Sequence, residues 1–229
     1  MLPDGRLLTV SQMIRRGDRM ADIGTDHAYL ALYMIENGIV PSVIASDIND
    51  GPLENAARTI AAAGNPAGIT LRKSDGLKAY NENEVDTVVI AGMGGDVIIK
   101  IISNAGWLKN GHTELVLQPM TSAEDLREYL SSNGFEILRE KATKAAGRIY
   151  TVIKAVYTGK IQPLDRCFLL IGKLDCETDS DAVCYIKRIR EIAAKTASQI
   201  KNVERKQKKY CELTEALRNI DRMLEKYGC

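Results

Sequence analysis

Four short turns in this chain combine acidic residues with glycine, and each follows an apolar run typical of a β-strand. They are Asp22–Ala28, Ser46–Asn49, Ser74–Gly76 and Ala91–Asp96. Glycine lets a ligand approach the backbone closely, and a carboxylate accepts hydrogen bonds from hydroxyl and amino groups. Ligands of parallel sheets bind beyond the carboxyl ends of the strands. The four turns together therefore indicate a site for a cofactor that contains a nucleoside.

The chemistry of the turns narrows the choice of cofactor. The first turn differs from the GxGxxG motif because Asp26 stands where a second glycine would be, and Asp22 and Asp26 would repel a pyrophosphate. A cationic ligand such as S-adenosylmethionine fits better. Asp47 lies 23 positions after Gly24, close to the usual spacing of an acid that binds ribose hydroxyls. Asp75 is placed to accept a hydrogen bond from an adenine amino group.

Strands and helices alternate from residue 18 to about 157, which predicts an α/β fold with a mostly parallel sheet between two layers of helices. The predicted strands are Arg19–Ile23, Ser42–Ser46, Ile69–Lys73, Val85–Ala91, Glu114–Gln118, Phe135–Lys141 and Arg148–Val156. The predicted helices are Arg6–Arg16, Ala28–Asn37, Pro52–Ala63, Asp96–Ser103 and Ala123–Ser132. The last two strands could form a hairpin.

The pattern changes after residue 160. Pro163 and the polar stretch Asp175–Asp181 are typical of a connector. A 3-4 spacing of mainly apolar residues, with some polar positions, then runs from Ile186 to Leu224. The segment either forms one long helix that dimerises or folds back near Lys201–Lys208. Residues 183–210 hold nine basic and two acidic residues. This charge could attract a polyanion, or it could be a solvated helix face.

Composition excludes several protein classes. The 229 residues are 45% hydrophobic and 27% charged, with a net charge of +1, which is typical of a globular protein and not of a disordered or collagen-like chain. No apolar run approaches the ~18 residues of a membrane span, and no signal peptide is expected. Five cysteines without CxxC spacing predict reduced thiols in a cytoplasmic protein. Two histidines without paired ligand spacing predict no metal site.

Five strings carry a resemblance to a known family: DIGTDHAYL (22–30), SDINDGPLENA (46–56), DGL (75–77), DTVVIAGMGG (86–95) and LQPM (117–120). They resemble the TrmK family of bacterial tRNA (adenine-N1)-methyltransferases, which act on the adenine at position twenty-two in the D-arm region. The resemblance implies a Rossmann-like class I methyltransferase sheet with a small C-terminal helical domain, a coiled-coil hairpin. The expected domains are 1–160, which binds S-adenosylmethionine, and 161–229, which contacts tRNA.

The resemblance also implies which residues form the site. The expected cofactor-binding residues are Asp22, Gly24, Thr25, His27, Asp47, Ile48, Asp75, Gly76, Ala91, Gly92 and Met93. Arg6 matches an arginine of the family's N-terminal helix. Two positions depart from the family pattern, since Met120 replaces an Asn and Thr151 replaces a Glu. Both departures concern the pocket for the target base.

Three residues are candidates for catalysis. Asp26 could stabilise the positive charge that methylation creates on adenine. His27 could bind cofactor or handle a proton, or could be a packed histidine bonded to backbone. The Gln118 amide could read the adenine edge. The expected tRNA contacts are Arg6, Tyr29, Lys201, Arg205 and Lys208, although Tyr29 could instead be a core residue.

The expected partner is tRNA, with no membrane and no metal, and the protein is expected to be a monomer or weak dimer. Three alternatives remain open at this stage. They are a methyltransferase with a protein or small-molecule substrate, a non-catalytic RNA-binding protein on the same fold, and an NAD-dependent oxidoreductase.

Overall fold

A computed structural model describes residues 4–162 and 164–227, so Pro163 and Cys229 lie outside the described residues. Seven strands form one sheet in the order β3-β2-β1-β4-β5-β7-β6. The strands are β1 (Arg19–Ile23), β2 (Ser42–Asp47), β3 (Ile69–Lys73), β4 (Thr87–Met93), β5 (Glu114–Pro119), β6 (Phe135–Ala145) and β7 (Arg148–Tyr157). The first five are parallel, and β7 runs antiparallel to both β5 and β6. The predicted α/β class is confirmed.

Helices cover both faces of this sheet. They are α1 (Gly5–Ser11), α2 (Tyr29–Glu36), α3 (Asp50–Ala62), α4 (Gly95–Ser103) and α5 (Ala123–Ser132), with a 3-10 turn at Gly106–Asn110. Val89 packs in one core cluster with residues of α1, α2 and α3, while its neighbour Ile90 packs in the other with residues of α4 and α5. This alternation follows from the two-residue period of a strand.

The predicted ends of α1 and β6 are wrong, and each difference has a structural reason. The first helix ends at Ser11 and not at Arg16, because the chain turns there to bury Met13 and Ile14 in the core. Strand β6 continues to Ala145 and not to Lys141. Its hairpin turn uses Ala146 and Gly147, both with positive φ, which matches the twist of a two-residue hairpin.

The C-terminal segment folds back on itself. Helix α6 (Arg166–Ile171) is followed by α7 (Ala182–Ile200), a turn at 201–206, and α8 (Gln207–Glu225). Arg190 of α7 donates to Asp221 of α8 at 2.8 Å. The seam predicted from Ile186 to Leu224 is interrupted at the turn, and α8 buries Leu213, Ala216, Ile220 and the predicted Leu224. Coiled-coil packing in detail stays a prediction.

A buried ion pair joins the sheet to these helices. Arg127 of α5 binds Glu140 of β6 at 2.8 Å, and both side chains are 0% exposed. Arg127 also donates to the carbonyls of Leu169 and Leu170 in α6 and to the Tyr185 hydroxyl of α7. Burial opposes its charge, but attraction to Glu140 outweighs that cost and raises the pKa of Arg127. The predicted boundary near residue 160 stays a prediction.

Three expected absences concern only the described residues. Within 4–162 and 164–227, no helix has the length and apolarity needed to cross a membrane. The same ranges contain no group of three or more potential metal ligands. The cysteines Cys167, Cys184 and Cys211 form no disulfide in this part of the chain.

Candidate active site

Two adjoining clefts open at the carboxyl edge of the parallel strands. Cleft A, of about 290 Å³, is lined by residues that follow β1, β2 and β3 and by one side of α4. Cleft B, of about 520 Å³, lies between α1 and the turn after β1. Gly24 lines both clefts, so they meet there. This is the edge at which ligands of open α/β sheets bind.

Cleft A has an acidic end and apolar walls. Asp47 and Asp75 line it together with Ile48, Leu77 and Ile101. Ile48 is 52% exposed, so its apolar side chain is accessible to a ligand in the cleft. The Lys78 ammonium donates to Asp75 at 2.5 Å and lowers the pKa of that carboxyl. The cleft therefore offers carboxyl acceptors at its rim and apolar side chains within.

The position of Asp47 is fixed by hydrogen bonds around the end of β2. One Asp47 oxygen accepts the Asn49 amide at 2.8 Å. Behind it, the Tyr80 hydroxyl donates to Ser46 Oγ at 2.9 Å, and burial raises the pKa of Tyr80 to about 12. Tyr80 therefore stays protonated as a donor and holds the end of β2 in place.

Cleft B contains a buried carboxyl group at the end of β1. Asp22 is 8% exposed, and burial raises its pKa to about 6, although a hydrogen bond from Thr25 and the charge of Arg6 act in the opposite direction. Thr25 Oγ1 also accepts the Ala28 amide at 3.2 Å. A cationic group in cleft B would stabilise the ionised form of Asp22.

The side-chain amide of Gln118 is hydrogen-bonded within the protein in this structure, which differs from the prediction that it hydrogen-bonds the adenine edge. It is 0% exposed, and its Oε1 accepts from Arg6 Nη1 and from the Gly92 amide, each at 3.0 Å. Its Nε2 donates to the Pro119 carbonyl at 2.9 Å. Because both polar atoms of the amide are hydrogen-bonded within the protein, Gln118 holds Arg6 and Gly92 in position.

Two glycines have a backbone conformation that favours glycine. A Cβ on Gly24 would stand 2.0 Å from Met93 Cε, and one on Gly92 would stand 3.2 Å from Arg6 Nη1. Both have positive φ, 78° and 82°, which favours glycine strongly. These two glycines let the ends of β1 and β4 approach each other between the clefts.

The turn before α2 presents polar side chains at the mouth of cleft B. Asp26 Oδ2 lies 3.3 Å from His27 Nε2, and Asn55 of α3 donates to Asp26 Oδ1 at 3.3 Å. The ring of His27 stacks on that of Tyr29 with centroids 5.1 Å apart. Tyr29 is 36% exposed, so it is not the core residue that the sequence also allowed.

Comparisons with known proteins agree with this geometry. A sequence profile described as "Methyltransferase domain" matches residues 4–153. The tRNA (adenine(22)-N(1))-methyltransferase of Bacillus subtilis is 36% identical over 74% of this chain and 71% of its own length. The chain belongs to the TrmK methyltransferase family.

Solved structures of the TrmK family superpose on most of the chain. The crystal structure of B. subtilis TrmK is 30% identical, with a TM-score of 0.80 over 96% of this chain and 98% of its own. A Streptococcus pneumoniae structure in complex with S-adenosyl-L-methionine is 27% identical, with a TM-score of 0.80 over 94% of this chain and 100% of its own.

Most of the predicted site residues lie at one place. Cleft A or cleft B is lined by Arg6, Asp22, Gly24, Thr25, Asp26, His27, Tyr29, Asp47, Ile48, Asp75, Gly76, Ala91, Gly92 and Met93. Lys201, Arg205 and Lys208 line neither cleft and lie exposed at the turn between α7 and α8 and at the start of α8. Their role as RNA contacts stays a prediction for this TrmK family member.

Sequence reasoning missed two supporting residues. Asn55, which holds Asp26, lies inside the SDINDGPLENA string but carries no chemical signal of its own. Tyr80 lies 34 residues from the serine it supports. Neither contact follows from local spacing, because each depends on how separate elements pack.

Proposed function

We propose that this protein transfers a methyl group from S-adenosylmethionine to N1 of an adenine in the D-arm region of tRNA, at position 22. The observation that carries this proposal is the joining of clefts A and B at Gly24, in a chain of the TrmK family. A nucleoside in cleft A and a base at the mouth of cleft B would then meet at one point.

The residues present fit S-adenosylmethionine. Asp47 keeps an oxygen for the ribose hydroxyls, and Ile48 and Gly76 border the place for the adenine ring. The buried Asp22 in cleft B provides a carboxylate for the α-ammonium group. The Met93 methyl group fills the space that glycine at position 24 leaves open. When bound, S-adenosylmethionine supplies a methyl group on a positively charged sulfur.

The protein's own part is mainly alignment. Neutral adenine already carries a lone pair at N1, so the target base needs orientation and a dry pocket more than a strong base. Tyr29, stacked on His27, offers an aromatic surface at the mouth of cleft B. Gln118 holds Arg6 against Gly92 and so fixes the inner wall. N1 lies on the pairing edge, so the adenine must leave its stack to enter.

Asp26 is the group we assign to the developing charge. Methylation makes the adenine ring cationic, and Asp26 is 65% exposed at the mouth of cleft B. Asn55 and His27 hold its two oxygens toward that region. His27 is placed to accept a proton from the exocyclic amine after transfer. Preorganised charge at the place where charge develops lowers the barrier of the chemical step.

The test is methylation of unmodified tRNA transcripts with radiolabelled S-adenosylmethionine, followed by mapping of the modified base. Incorporation at N1 of adenine 22 is expected, and a transcript with guanine at that position should accept no label. Labelling that persists in that control transcript at the same level would contradict the assigned position. Absence of transfer to any tRNA would contradict the proposed substrate.

A further inference from the structure

A second groove, outside clefts A and B, opens beside the active site. It has a volume of about 560 Å³ and lies between the β6–β7 hairpin, the residue that follows β5, and α7. We call it the β-hairpin groove. Its basic lining residues are Lys144, Arg148 and Arg188, and its apolar walls include Met120, Ile149 and Ile192. Its size is within the range of small-ligand sites, about 300–1,000 Å³.

The charge of the groove favours an anion. Among the described residues, no aspartate or glutamate lines it. Lys144 pairs with Asp181 at 2.9 Å, and Arg188 lies 3.4 Å from Glu191, so two of the three cations have an acidic neighbour outside the lining. Arg148 is exposed at the hairpin tip. Exposed pairs of this kind are weak and exchange readily for a phosphate.

The walls favour a planar apolar group next to that anion. Ile192 is 48% exposed and Met120 is 37% exposed, and both lie in the groove with Ile149. A nucleotide combines a phosphate with a base whose faces are apolar. Enzymes that extrude a base hold it between aromatic or apolar side chains, and Arg or Lys side chains bind the phosphate.

The groove lies next to the catalytic edge. The pairing of β5 with β7 ends at Leu117 and Ile153. Strand β7 begins five residues before Ile153, at Arg148, so its first part extends beyond this pairing. The hairpin tip therefore projects on the side of clefts A and B. The Met120 amide donates to the Met93 carbonyl at 2.8 Å, and Met93 lines cleft A. A direct backbone hydrogen bond thus joins a residue of the groove to a residue of the cofactor cleft.

We infer that the β-hairpin groove binds an unstacked nucleotide of the tRNA next to the adenine that is methylated. The inference rests on the proposed function, because it takes tRNA as the substrate. When the target adenine leaves its stack, its neighbour loses a stacking partner. The groove receives that neighbour, with its base against Met120 and Ile192 and its phosphate at Arg148 and Arg188.

The test uses the full-length Arg148→Glu/Arg188→Glu variant. The KM for unmodified tRNA should rise at least tenfold, and the slope of log affinity against log salt should become smaller by about 1 to 2, since up to two phosphate contacts are lost. S-adenosylmethionine affinity by calorimetry should be unchanged. The control is Lys109→Glu/Lys160→Glu, an equal charge change at exposed residues outside the groove lining, and it should keep the wild-type KM.

A second variant separates the base from the phosphate. Ile192→Ser keeps every charge and alters an exposed side chain, so it should raise the KM for tRNA about threefold or more while leaving the salt slope unchanged. A wild-type KM in this variant would mean that the groove holds only a phosphate, and it would overturn the nucleotide assignment.

Cys184 gives a measurement on the wild-type protein. It is exposed and lines the groove, so bound tRNA should slow its alkylation at least fivefold, mapped at peptide level, while S-adenosylmethionine alone should not. Full alkylation rates under saturating tRNA, with a wild-type KM for Arg148→Glu/Arg188→Glu, would overturn the inference and leave the methyltransferase function intact. A wild-type protein that neither binds nor methylates tRNA would overturn both.

Discussion

One carboxylate oxygen of Asp47 accepts the Asn49 amide. This arrangement leaves the second oxygen for the ribose hydroxyls of a ligand in cleft A. Asp47→Ala should weaken S-adenosylmethionine binding by ~1.5–3 kcal/mol, because a charged acceptor of hydroxyl hydrogen bonds is lost. Calorimetric titration should show an affinity about 10- to 150-fold lower. Asp47→Asn, which keeps an acceptor, should lose less. Equal affinities for wild type and Asp47→Ala would remove this residue from the cofactor site.

Asp22 should make cofactor binding depend on pH. Burial raises its pKa from 3.8 to about 6, so protonated Asp22 stabilises the fold at low pH, and this contribution is lost as pH rises through about 6. Above that pH, a bound ammonium group compensates the buried carboxylate. Affinity for S-adenosylmethionine should therefore increase about tenfold between pH 5 and pH 7.

The matched variants for this pH dependence are Asp22→Asn and Asp47→Asn. Asp22→Asn should bind the cofactor more weakly at pH 7 and show a flat profile, since the titrating group is gone. Asp47→Asn should keep the rise with pH. A rise that survives in Asp22→Asn would assign the titration to another group.

Asp26 should act on turnover and not on cofactor binding. Its carboxylate faces the mouth of cleft B and not cleft A, so Asp26→Ala should change cofactor affinity by no more than a few-fold. The rate of single-turnover methylation should fall by about 100-fold, the loss expected when one preorganised group at a developing charge is removed. A wild-type single-turnover rate would show that Asp26 has only a structural role in the turn.

At the scale of elements, the Arg127–Glu140 pair connects α5 and β6 to α6 and α7. Arg127→Met should destabilise the protein by about 3–5 kcal/mol, because Glu140 is left as a buried charge without its partner. Adding Glu140→Gln should recover most of this loss, since no charge then remains while the acceptor for the Lys173 amide is kept. Urea unfolding of the three proteins measures both steps. A double variant no more stable than Arg127→Met would show that the pair is not the cause.

The elements show which parts of the structure are encoded locally. The bounds of β1 and β3 agree with the prediction, because each is a short run of strand-forming residues ending in a polar or glycine turn. The four edge turns were predictable for the same reason. The turn at 201–206 was predicted only as one of two alternatives, because neither glycine nor proline marks it. The engagement of Gln118 depends on Arg6, 112 residues away, so no local pattern could indicate it.

At the scale of the whole molecule, buried hydrogen bonds join the C-terminal helices to the sheet domain. Helix α6 supplies two carbonyls to the buried Arg127, and Tyr185 of α7 supplies its hydroxyl. A chain cut at residue 160 would leave Arg127 and Glu140 with several unpaired groups. Truncation is therefore a poor test of what these helices do, because loss of binding would be mixed with loss of stability.

Charge reversal at the exposed turn avoids that problem. All nine basic side chains of residues 183–210 are exposed, and Lys208 reaches its acidic neighbour Glu212 only at 4.0 Å. The triple variant Lys201→Glu/Arg205→Glu/Lys208→Glu should therefore fold normally and bind S-adenosylmethionine as the wild type does. It should bind tRNA at least tenfold more weakly, with a flatter salt dependence, since each lost phosphate contact removes about 0.7–0.9 from the slope.

The same variant distinguishes the α7–α8 turn from the β-hairpin groove. If both surfaces contact one tRNA at separate phosphates, combining the triple reversal with Arg148→Glu/Arg188→Glu should lower the salt slope by the sum of the two separate effects, because distant contacts add. Filter binding at several salt concentrations measures each slope. A triple variant that binds tRNA like the wild type at low and high salt would make the α7–α8 turn a scaffold, and the RNA contacts would then lie on α1 and in the β-hairpin groove.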